Sequence, residues 1–399
     1  MQANQIGSLK GKRVLFLQGP MGGFFKRLDH QFRSDGAITY KIGLNAGDQF
    51  FSNGDNYTPY RGDVEGWHGF ISRFLVDKKI DKIFLFGDCR IYQRIAIGTA
   101  NEAGVEVFVF EEGYIRPDYV TLEKFGVNDY SHISREKAFY DQLDLNELEE
   151  PSPLPTHFSL FRMVMNAIVY YLASNLLFLA YPHYRHHRDF SSLKEAFFGI
   201  RNFVRKYYYL FKERYYPDLI TGKLSKKYFF VPLQTYNDFQ ILQHSEYLSV
   251  EKFIIEVLES FAKNAPKDTY LIFKHHPVDR GRKNYADFIF NQAELFGIKK
   301  RVLLFHDVHL PTCLKNAIGT VTISSTVGLS SLYHQIPTIT LGNSIYDIEG
   351  ITCKDCHLDD FWQAPKLPDK LLFEKYRRYL IHTTQLNGSF YGAFPALFR

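Results

Sequence analysis

Short apolar runs alternate with amphipathic stretches through most of this chain, and nearly every run ends in glycine or polar residues. Such runs are typical of strands buried on both faces of a parallel sheet. Stretches with helical spacing separate many of them, so the pattern predicts Rossmann-like βαβ units in both halves of the chain. The predicted strands cover residues 14–18, 38–44, 82–86, 105–110, 228–233, 269–273, 302–305, 317–323 and 338–341.

The alternation breaks off between the two halves. Residues 151–155 read Pro-Ser-Pro-Leu-Pro and form a stiff spacer, and the uncharged residues 163–181 follow soon after. Their length approaches the roughly 20 residues of a membrane span, but Asn166, Ser174 and Asn175 interrupt the run. We therefore predict a buried or membrane-lying helix and not a crossing one.

Basic and aromatic side chains are interleaved over residues 201–216. A helix of this composition suits the headgroup layer of an anionic membrane, with Arg201, Arg205 and Lys206 as lipid contacts. A helix packed on a protein core with a solvated basic face explains the same pattern equally well.

The length of the chain predicts more than one domain. At 399 residues with 45% hydrophobic residues, the chain is too long for one ordinary domain. We place an N-terminal Rossmann-like domain at residues 1–220, with an apolar and basic-aromatic helical insertion at about 156–216. A C-terminal Rossmann-like domain takes residues 221–399.

Charge and cysteine content narrow the partners only slightly. The formal charge of +5 fits an anionic substrate or an anionic membrane as well as nucleic acid. Four cysteines in this length do not make a secreted disulfide framework, so reduced thiols are expected. Residues 1–12 are short and polar and do not read as a leader, so we expect the protein to stay in the cytoplasm.

The apolar run at 105–110 ends abruptly in Glu111, Glu112 and a glycine. Open α/β sheets bind ligands at the carboxyl ends of their strands, which places these carboxylates and Asp88, after the preceding predicted strand, at a binding edge. Two adjacent carboxylates do not both stay ionised cheaply, so one is a candidate nucleophile or proton donor, and Arg116 can hold the other charged. A solvated turn, with Asp88 as a helix cap, is the alternative.

A glycine-rich turn containing Gly19 and Gly22 follows the first predicted strand. Glycines let a backbone approach a ligand closely, and a helix amino end favours an anion. The run fits neither the dinucleotide nor the P-loop spacing, so a plain tight turn explains these glycines at least as well as a ligand-binding turn.

Polar clusters also follow strands of the second half. Lysine and histidine meet a phosphate with charge and directed hydrogen bonds, and serine and threonine hydroxyls receive its other oxygens. Together these clusters predict an anion pocket, although a satisfied turn and a helix cap explain each one alone. The candidate residues are Lys274, His275, His276, Pro277, Ser324, Ser325, Thr326 and Gln234.

The motifs taken together resemble a known family. Lys-His-His-Pro at 274–277 and Ser-Ser-Thr-Val-Gly-Leu at 324–329 are similar to the HP and SS motifs by which bacterial sialyltransferases hold CMP-sugars. Residues 111–123, with Phe-Gly-Asp ending at Asp88 and Pro-Leu-Gln ending at Gln234, resemble capsular polysaccharide biosynthesis proteins of the KpsS/LipB type. The resemblance implies a GT-B-like α/β fold, in which two Rossmann-like domains face a central cleft. It also implies retaining transfer of β-Kdo from CMP-Kdo to a (lyso)phosphatidylglycerol-type lipid.

The resemblance also implies roles for single residues. Glu112 takes the place of the proposed nucleophilic aspartate in the Glu-Asp-Gly motif of KpsC-type Kdo transferases, with a side chain one methylene longer. Glu111 and Asp88 are acid/base or positioning candidates, and Arg116, Gly19 and Gly22 are acceptor or positioning candidates. The CMP phosphate is bound by Lys274 together with His275 or His276. The HP motif favours His276. Ser324, Ser325, Thr326 and Gln234 complete that donor pocket.

No metal or other cofactor is expected, because CMP-Kdo leaves with one phosphate that lysine and histidine neutralise. The spaced pair Cys353 and Cys356 is weak evidence for zinc. The expected partners are CMP-Kdo, the lipid acceptor, an anionic membrane at the inner face of the inner membrane, and other capsule assembly proteins, without nucleic acid. The alternatives are a CMP-sugar transferase that extends a glycan with Kdo or sialic acid, and a non-catalytic capsule-assembly scaffold.

Overall fold

A computed structural model describes residues 6–52, 56–149, 152–186, 192–236, 247 and 249–395. They fall into two compact units. Unit 1 comprises Met1–His132, Leu148–Ser192 and Arg378–Arg399, and unit 2 comprises Ile133–Glu147 and Leu193–Arg377.

The elements are numbered here in chain order. The strands are β1 (Arg13–Phe16), β2 (Ile38–Gly43), β3 (Tyr57–Pro59), β4 (Lys82–Phe86), β5 (Glu106–Glu112), β6 (Tyr119–Lys124), β7 (Tyr228–Pro232), β8 (Tyr270–Lys274), β9 (Val302–Phe305), β10 (Gly319–Thr322), β11 (Thr338–Thr340) and β12 (Gln385–Asn387). The helices are α1 (Phe24–Ser34), α2 (Ala46–Phe51), α3 (Val64–Asp77), α4 (Ile91–Glu102), α5 (Lys137–Asp141), α6 (Leu160–Leu176), α7 (Ser192–Lys212), α8 (Tyr216–Thr221), α9 (Val250–Asn264), α10 (Ala286–Leu295), α11 (Leu310–Lys315), α12 (Val327–Tyr333), α13 (Leu358–Phe361) and α14 (Lys370–Thr384).

Unit 1 is built on a sheet with the strand order β12-β6-β5-β4-β1-β2-β3. Strands β1 to β5 run parallel, and β6 and β12 add two antiparallel strands at one edge. Alternate side chains of β5 enter two cores, with Val107 and Val109 on one face and Phe108 and Phe110 on the other. Burial on both faces explains why the central strands read as continuous apolar runs.

Unit 2 is built on an all-parallel sheet with the order β11-β10-β7-β8-β9. Phe229 of β7 packs into one core beside Trp362, and Phe230 enters the core on the opposite face. The Trp362 indole N–H donates to Ser260 at 2.7 Å, so this large buried ring leaves no polar atom unpaired. The predicted α/β class with two Rossmann-like domains is confirmed.

The division of the chain differs from the predicted boundary after residue 220. Residues 193–220 belong to unit 2, and residues 378–399 return to unit 1. Tyr209 of α7 explains the first difference, because its ring stacks on His306 in unit 2 with the centroids 3.6 Å apart. Strand β12 explains the second, because it pairs antiparallel with β6.

Candidate active site

Glu111 and Glu112 are the last residues of β5 and lie on opposite faces of the sheet. Side chains alternate along a strand, so Glu111 continues the face of Val109 and Glu112 that of Phe110. The two carboxylates are adjacent in sequence but have separate surroundings, so they cannot be treated as one symmetric pair.

Glu111 is half-buried beside the turn that follows β4. Its Oε1 accepts the Glu112 backbone N–H at 2.9 Å, and its Oε2 lies 3.6 Å from where a Cβ on Gly87 would sit. Burial raises the pKa of Glu111 to about 7, and the negative charge of Glu112 adds to that rise. The accepted N–H and the charge of Arg90 oppose it. A carboxyl with this pKa exchanges a proton near neutral pH.

Glu112 projects from the other face and is exposed to solvent. Desolvation by the atoms around its carboxylate raises the pKa of Glu112, and the positive charge of Arg116 opposes the rise. Arg116 also donates from Nε to the Gly113 carbonyl at 3.2 Å. Burial, with a smaller contribution from the charge of Glu112, raises the pKa of Tyr391 to about 12. Tyr391 therefore belongs to the surroundings of Glu112, and no local pattern pointed to it.

Asp88 is a structural anchor in this rim. The residue is 4% exposed, and its Oδ2 accepts the Val127 backbone N–H at 2.8 Å. Gly87 before it has a φ of 71°, a left-handed conformation that glycine adopts without steric cost. These contacts fix the loop after β6 against the end of β4, so Asp88 serves positioning better than proton transfer.

The glycine-rich turn approaches protein side chains. A Cβ on Gly19 would lie 2.7 Å from the Phe25 ring, and a Cβ on Gly22 would lie 2.2 Å from Nδ2 of Asn166. Gly22 also has a φ of 123°. Close packing of Phe25 and Asn166 therefore accounts for the glycine at both positions.

A buried polar network missing from the sequence predictions connects α6 to this rim. Gln18 follows β1 and donates from Nε2 to Asp48 Oδ2 at 3.2 Å and to the Tyr170 hydroxyl at 2.9 Å. Tyr170 donates in turn to Asp48 Oδ1 at 2.9 Å, and Arg90 donates to Gln18 Oε1 at 3.1 Å. Helix α6 thus reaches the surroundings of Glu111 through polar side chains. A polar residue at the end of an apolar run was the available signal for Gln18.

In unit 2 the polar residues that follow four adjacent strands line the carboxyl edge of the sheet in strand order. Ser324 follows β10, Gln234 follows β7, His275 follows β8 and His306 follows β9. The side-chain oxygen Oε1 of Gln234 accepts the Ser324 backbone N–H at 3.2 Å, which joins two of the predicted donor residues. His306 was not predicted, although it too is a polar residue directly after an apolar strand.

The two neighbouring histidines both engage Nδ1 in a backbone contact but carry their protons on different ring nitrogens. His275 is 1% exposed, and its Nδ1 lies 3.1 Å from the His276 carbonyl, which only accepts hydrogen bonds. Burial, followed by the charge of His306, lowers the pKa of His275 to about 4, so its Nδ1 carries the proton and its Nε2 is an acceptor. His276 is half-buried, and its Nδ1 accepts the Val278 N–H at 3.2 Å. The proton of a neutral His276 is therefore on Nε2, where it can be donated to an anion.

The other predicted donor residues have structural contacts of their own. Lys274 is 9% exposed and donates from Nζ to the His306 carbonyl at 3.0 Å. Pro277 accepts from Arg280 through its carbonyl at 3.1 Å. Ser325 accepts the Val327 N–H through Oγ at 3.2 Å, and Thr326 stands directly before α12 and is half-buried.

Metal-binding groups are not apparent in the described ranges. Within them, no cluster of three or more His, Cys, Asp or Glu side chains is placed to hold a metal ion. Cys353 and Cys356 are free thiols.

Two helices carry outward apolar faces. On α6 the exposed side chains include Leu172 and Leu176, which are 54% and 78% exposed, while Tyr170 on the inner face is buried. On α7 Phe203 and Phe211 are 63% and 70% exposed. In the part of the chain that the structure describes, neither these helices nor any other is long and apolar enough to span a membrane.

The arginines of α7 do not share its outer face, which corrects the predicted lipid contacts at Arg201 and Arg205, whereas the predicted contact at half-buried Lys206 stays a prediction. Arg201 donates from Nη2 to the Arg282 carbonyl at 2.9 Å, and Arg205 donates to the Arg280 carbonyl at 2.7 Å. Both guanidinium groups hold the helix to its own unit. The exposed basic residues on or next to the helix are Lys194, Lys212 and Arg214.

Two Rossmann-like units, with carboxylates ending one sheet and imidazoles and hydroxyls ending the other, define an α/β protein of two units built on mainly parallel sheets. The chain belongs to the family described as capsule polysaccharide biosynthesis protein, whose model matches residues 81–391. It is therefore a protein of capsule polysaccharide biosynthesis.

Several relatives resemble the chain over nearly its whole length. The capsule polysaccharide export protein KpsS of Escherichia coli is 38% identical over 98% of this chain and 100% of that protein. The capsule polysaccharide modification protein LipB of Neisseria meningitidis serogroup A is 40% identical over 96% of this chain and 92% of that protein. The structure of the Thermosulfurimonas dismutans KpsC beta Kdo 2,7 transferase matches with a TM-score of 0.45 at 14% identity, covering 96% of this chain and 95% of that one.

Proposed function

We propose that the protein transfers β-Kdo with retention from CMP-Kdo to a (lyso)phosphatidylglycerol-type lipid and so starts the poly-Kdo linker of a capsule. The observation that carries the transferase proposal is the placement of Glu112. Its carboxylate ends a parallel strand, is exposed, and lies near the charge of Arg116. A carboxylate in such a position is available to attack an electrophilic sugar carbon.

Two displacements account for retention. The Glu112 carboxylate forms a bond to the anomeric carbon as the bond from that carbon to the phosphate oxygen breaks and CMP leaves. The acceptor hydroxyl then displaces Glu112 and gives up its proton. Glu111 accepts a hydrogen bond from the N–H of Glu112. With a pKa of about 7, Glu111 is suited to take up the proton of the acceptor hydroxyl through water. Asp88 acts by positioning.

The donor edge in unit 2 suits a monophosphate leaving group. His276 can donate from Nε2, and the hydroxyls of Ser325 and Thr326 lie at the end of β10. Lys274 contributes positive charge while its ammonium holds the loop after β9. We propose CMP-Kdo as the donor because the Lys-His-His-Pro and Ser-Ser-Thr motifs resemble those that hold CMP-sugars, and because these groups neutralise one phosphate without a metal.

The lipid acceptor is supported by the exposed apolar faces of α6 and α7. Leucine, phenylalanine and tyrosine side chains on one helix face, with basic residues beside them, are typical of helices that lie in the headgroup layer of an anionic membrane. We propose that the protein binds such a surface at the inner membrane through these faces.

The transferase is tested by the mass of the product. The full chain is incubated with CMP-Kdo, generated in place, and a fluorescent phosphatidylglycerol analogue. We expect one Kdo increment with the natural chain and a loss of roughly 10³-fold or more in Glu112→Gln, as removal of a nucleophile gives. Glu102→Gln, which changes an exposed glutamate, is the matched control and should retain activity.

Other outcomes separate the alternatives. An undiminished increment in Glu112→Gln would remove the nucleophile role. No increment, with CMP-Kdo still bound, would indicate a glycan acceptor or a non-catalytic scaffold, and turnover on a Kdo-terminated or sialylated glycan would distinguish these two.

Membrane binding is tested by co-sedimentation with vesicles. We expect the Phe203→Ser/Phe211→Ser variant to bind vesicles containing phosphatidylglycerol roughly 30-fold less tightly, because about 2 kcal/mol of apolar burial is lost. Phe50→Ser changes another exposed phenylalanine, in unit 1, and should bind normally. Equal binding of all three proteins would reject the membrane contact through α7.

A further inference from the structure

His306 and His275 present an unexplained pair of buried nitrogens at the carboxyl edge of the unit 2 sheet. They follow the adjacent strands β9 and β8, and their rings stack with centroids 5.2 Å apart and planes at 20°. The residues are 7% and 1% exposed. Neither Nε2 has a hydrogen-bond partner in the described ranges. Buried polar nitrogens are normally paired, so these two nitrogens are candidates for contact with a ligand at this edge.

Glu213 fixes the orientation of His306. The glutamate lies just after α7 and is 4% exposed. Its Oε1 lies 2.7 Å from His306 Nδ1, and the carboxylate accepts the backbone N–H of His306 at 2.9 Å and that of Asp307 at 2.8 Å. Burial opposes ionisation of Glu213, but these hydrogen bonds outweigh it and lower the pKa of the carboxyl. The Glu213 anion therefore accepts a hydrogen bond from the Nδ1–H of His306.

The partners of His306 determine what its other nitrogen can bind. Because Nδ1–H is given to a carboxylate, Nε2 is the ring nitrogen that can meet a ligand, and a ring with protons on both nitrogens donates from it. The rings of Tyr209 and neutral His275 both stack on this ring. The other charged groups nearby are Lys274, whose ammonium contacts the His306 carbonyl, and Asp307, which is paired with Arg280.

We infer that His306 is a binding residue for an anionic oxygen of the donor, to which it donates a hydrogen bond from Nε2, and that Glu213 is its positioning residue. The inference rests on the proposed function for the identity of the donor. The anionic oxygen belongs either to the nucleotide phosphate or to the sugar carboxylate, which share this chemistry. The row of Ser324, Gln234, His275 and His306 along adjacent strands supports binding at this edge.

The first test uses the unaltered chain. The imidazole resonances of His306 are followed by NMR, alone and with CMP, with cytidine or with free Kdo. We expect the Nε2 resonance of His306 to shift on addition of an anion that accepts its hydrogen bond. A shift with CMP but not with cytidine assigns the phosphate, and a shift with Kdo alone assigns the carboxylate. Binding of CMP with no change at His306 under any ligand would overturn the inference and leave the proposed donor intact. Failure of both CMP and Kdo to bind would overturn both.

Variants add a binding readout. We expect CMP, or Kdo if that arm is positive, to bind roughly 10- to 100-fold more weakly to His306→Gln, as loss of a hydrogen bond to a charged group gives. In Glu213→Gln the affinity should be lost at a lower pH than in the natural chain, because the imidazolium loses its anionic partner. A purely structural role would not move that pH profile. His309→Gln changes an exposed histidine and should behave as the natural chain, whereas full affinity and an unmoved profile in both test variants would overturn the inference.

Discussion

The carboxyl edges of the two sheets are built from the same kind of parallel strands but are completed in different ways. In unit 1, the polar residues after β1, β2 and β4 bond to their own unit, as Gln18 does to Asp48 and Asp88 does to Val127. In unit 2, the described contacts leave His275 Nε2, His306 Nε2 and Ser324 Oγ without partners. Unit 1 thus has a rigid edge that presents two glutamates, and unit 2 has an edge whose polar atoms remain available to a ligand.

The two units also differ in the sign of their response to pH. Burial raises the pKa of Glu111 and of Glu123 to about 7, so unit 1 retains neutral acids at mildly acidic pH. Burial lowers the pKa of His275 to about 4, so unit 2 retains a neutral base there. Desolvation disfavours the charged form in each case, and the chemical type of the group decides the direction.

The largest expected effect comes from removing a polar group of the unit 1 edge. Asp48 is 5% exposed and accepts from Gln18, Tyr170 and the Leu44 N–H. In Asp48→Ala these buried donors lose their acceptor, which costs roughly 3 kcal/mol. We expect a lower midpoint of chemical denaturation for unit 1, with faster hydrogen exchange in β1 and β2. A loss of stability below about 1 kcal/mol would show that the hydrogen bonds of Asp48 do not hold the carboxyl edge of unit 1 together.

The strands could be predicted from their apolar runs, whereas contacts between residues far apart in sequence could not be predicted. Residues 82–86 and 302–305 were predicted as strands and are β4 and β9, because a run buried on both faces carries its own signal. Strand β12 is three residues long, and its partner β6 lies more than 250 residues away in sequence. No local pattern of apolar and polar residues predicts a pairing between strands so far apart in sequence.

Within the candidate site, sequence position was more informative than side-chain contact. Both carboxyl edges could be located from polar residues after apolar runs. The opposite faces of Glu111 and Glu112 follow from strand alternation, but their separate surroundings required the fold. Likewise, the bond between Glu213 and His306 joins residues 93 positions apart, and the composition of α7 alone gave no reason to separate its anchoring arginines from its exposed face.

The next prediction uses the opposite pH responses. Glu123 is 4% exposed, and burial, with a smaller contribution from Asp88, raises its pKa from 4.5 to about 7 against the hydrogen bonds from Ser131 and Tyr114. A carboxyl with a raised folded-state pKa contributes stability that is complete below pH 4.5 and is lost as the pH rises through about 7. We therefore expect the contribution of Glu123 to the stability of unit 1 to fall by at most about 3 kcal/mol over that range, and Glu123→Gln to remove this part of the profile.

Unit 2 is the internal control for this prediction. The folded-state pKa of His275 is depressed from 6.5 to about 4, mainly by burial, so its contribution is complete above pH 6.5 and is lost as the pH falls through 4. Hydrogen exchange of β5 and β8 peptides, corrected for the intrinsic rate at each pH, measures the two units separately. Parallel responses in the two units would contradict the comparison.

The smallest expected effect is the loss of an unpaired hydroxyl in unit 2. Ser324 Oγ is buried and has no hydrogen-bond partner among the described residues, whereas the Ser324 backbone N–H bonds to Gln234. Ser324→Ala keeps that backbone bond and removes only the unpaired oxygen, so stability should change by less than about 0.5 kcal/mol. CMP should nevertheless bind roughly 5- to 10-fold more weakly, since a ligand would lose one hydrogen bond. Thermal unfolding and calorimetric titration measure the two effects, and Ser330→Ala in α12 serves as the control. A large loss of stability would show that the hydroxyl is paired in the folded protein, whereas unchanged affinity would remove Ser324 from the binding edge.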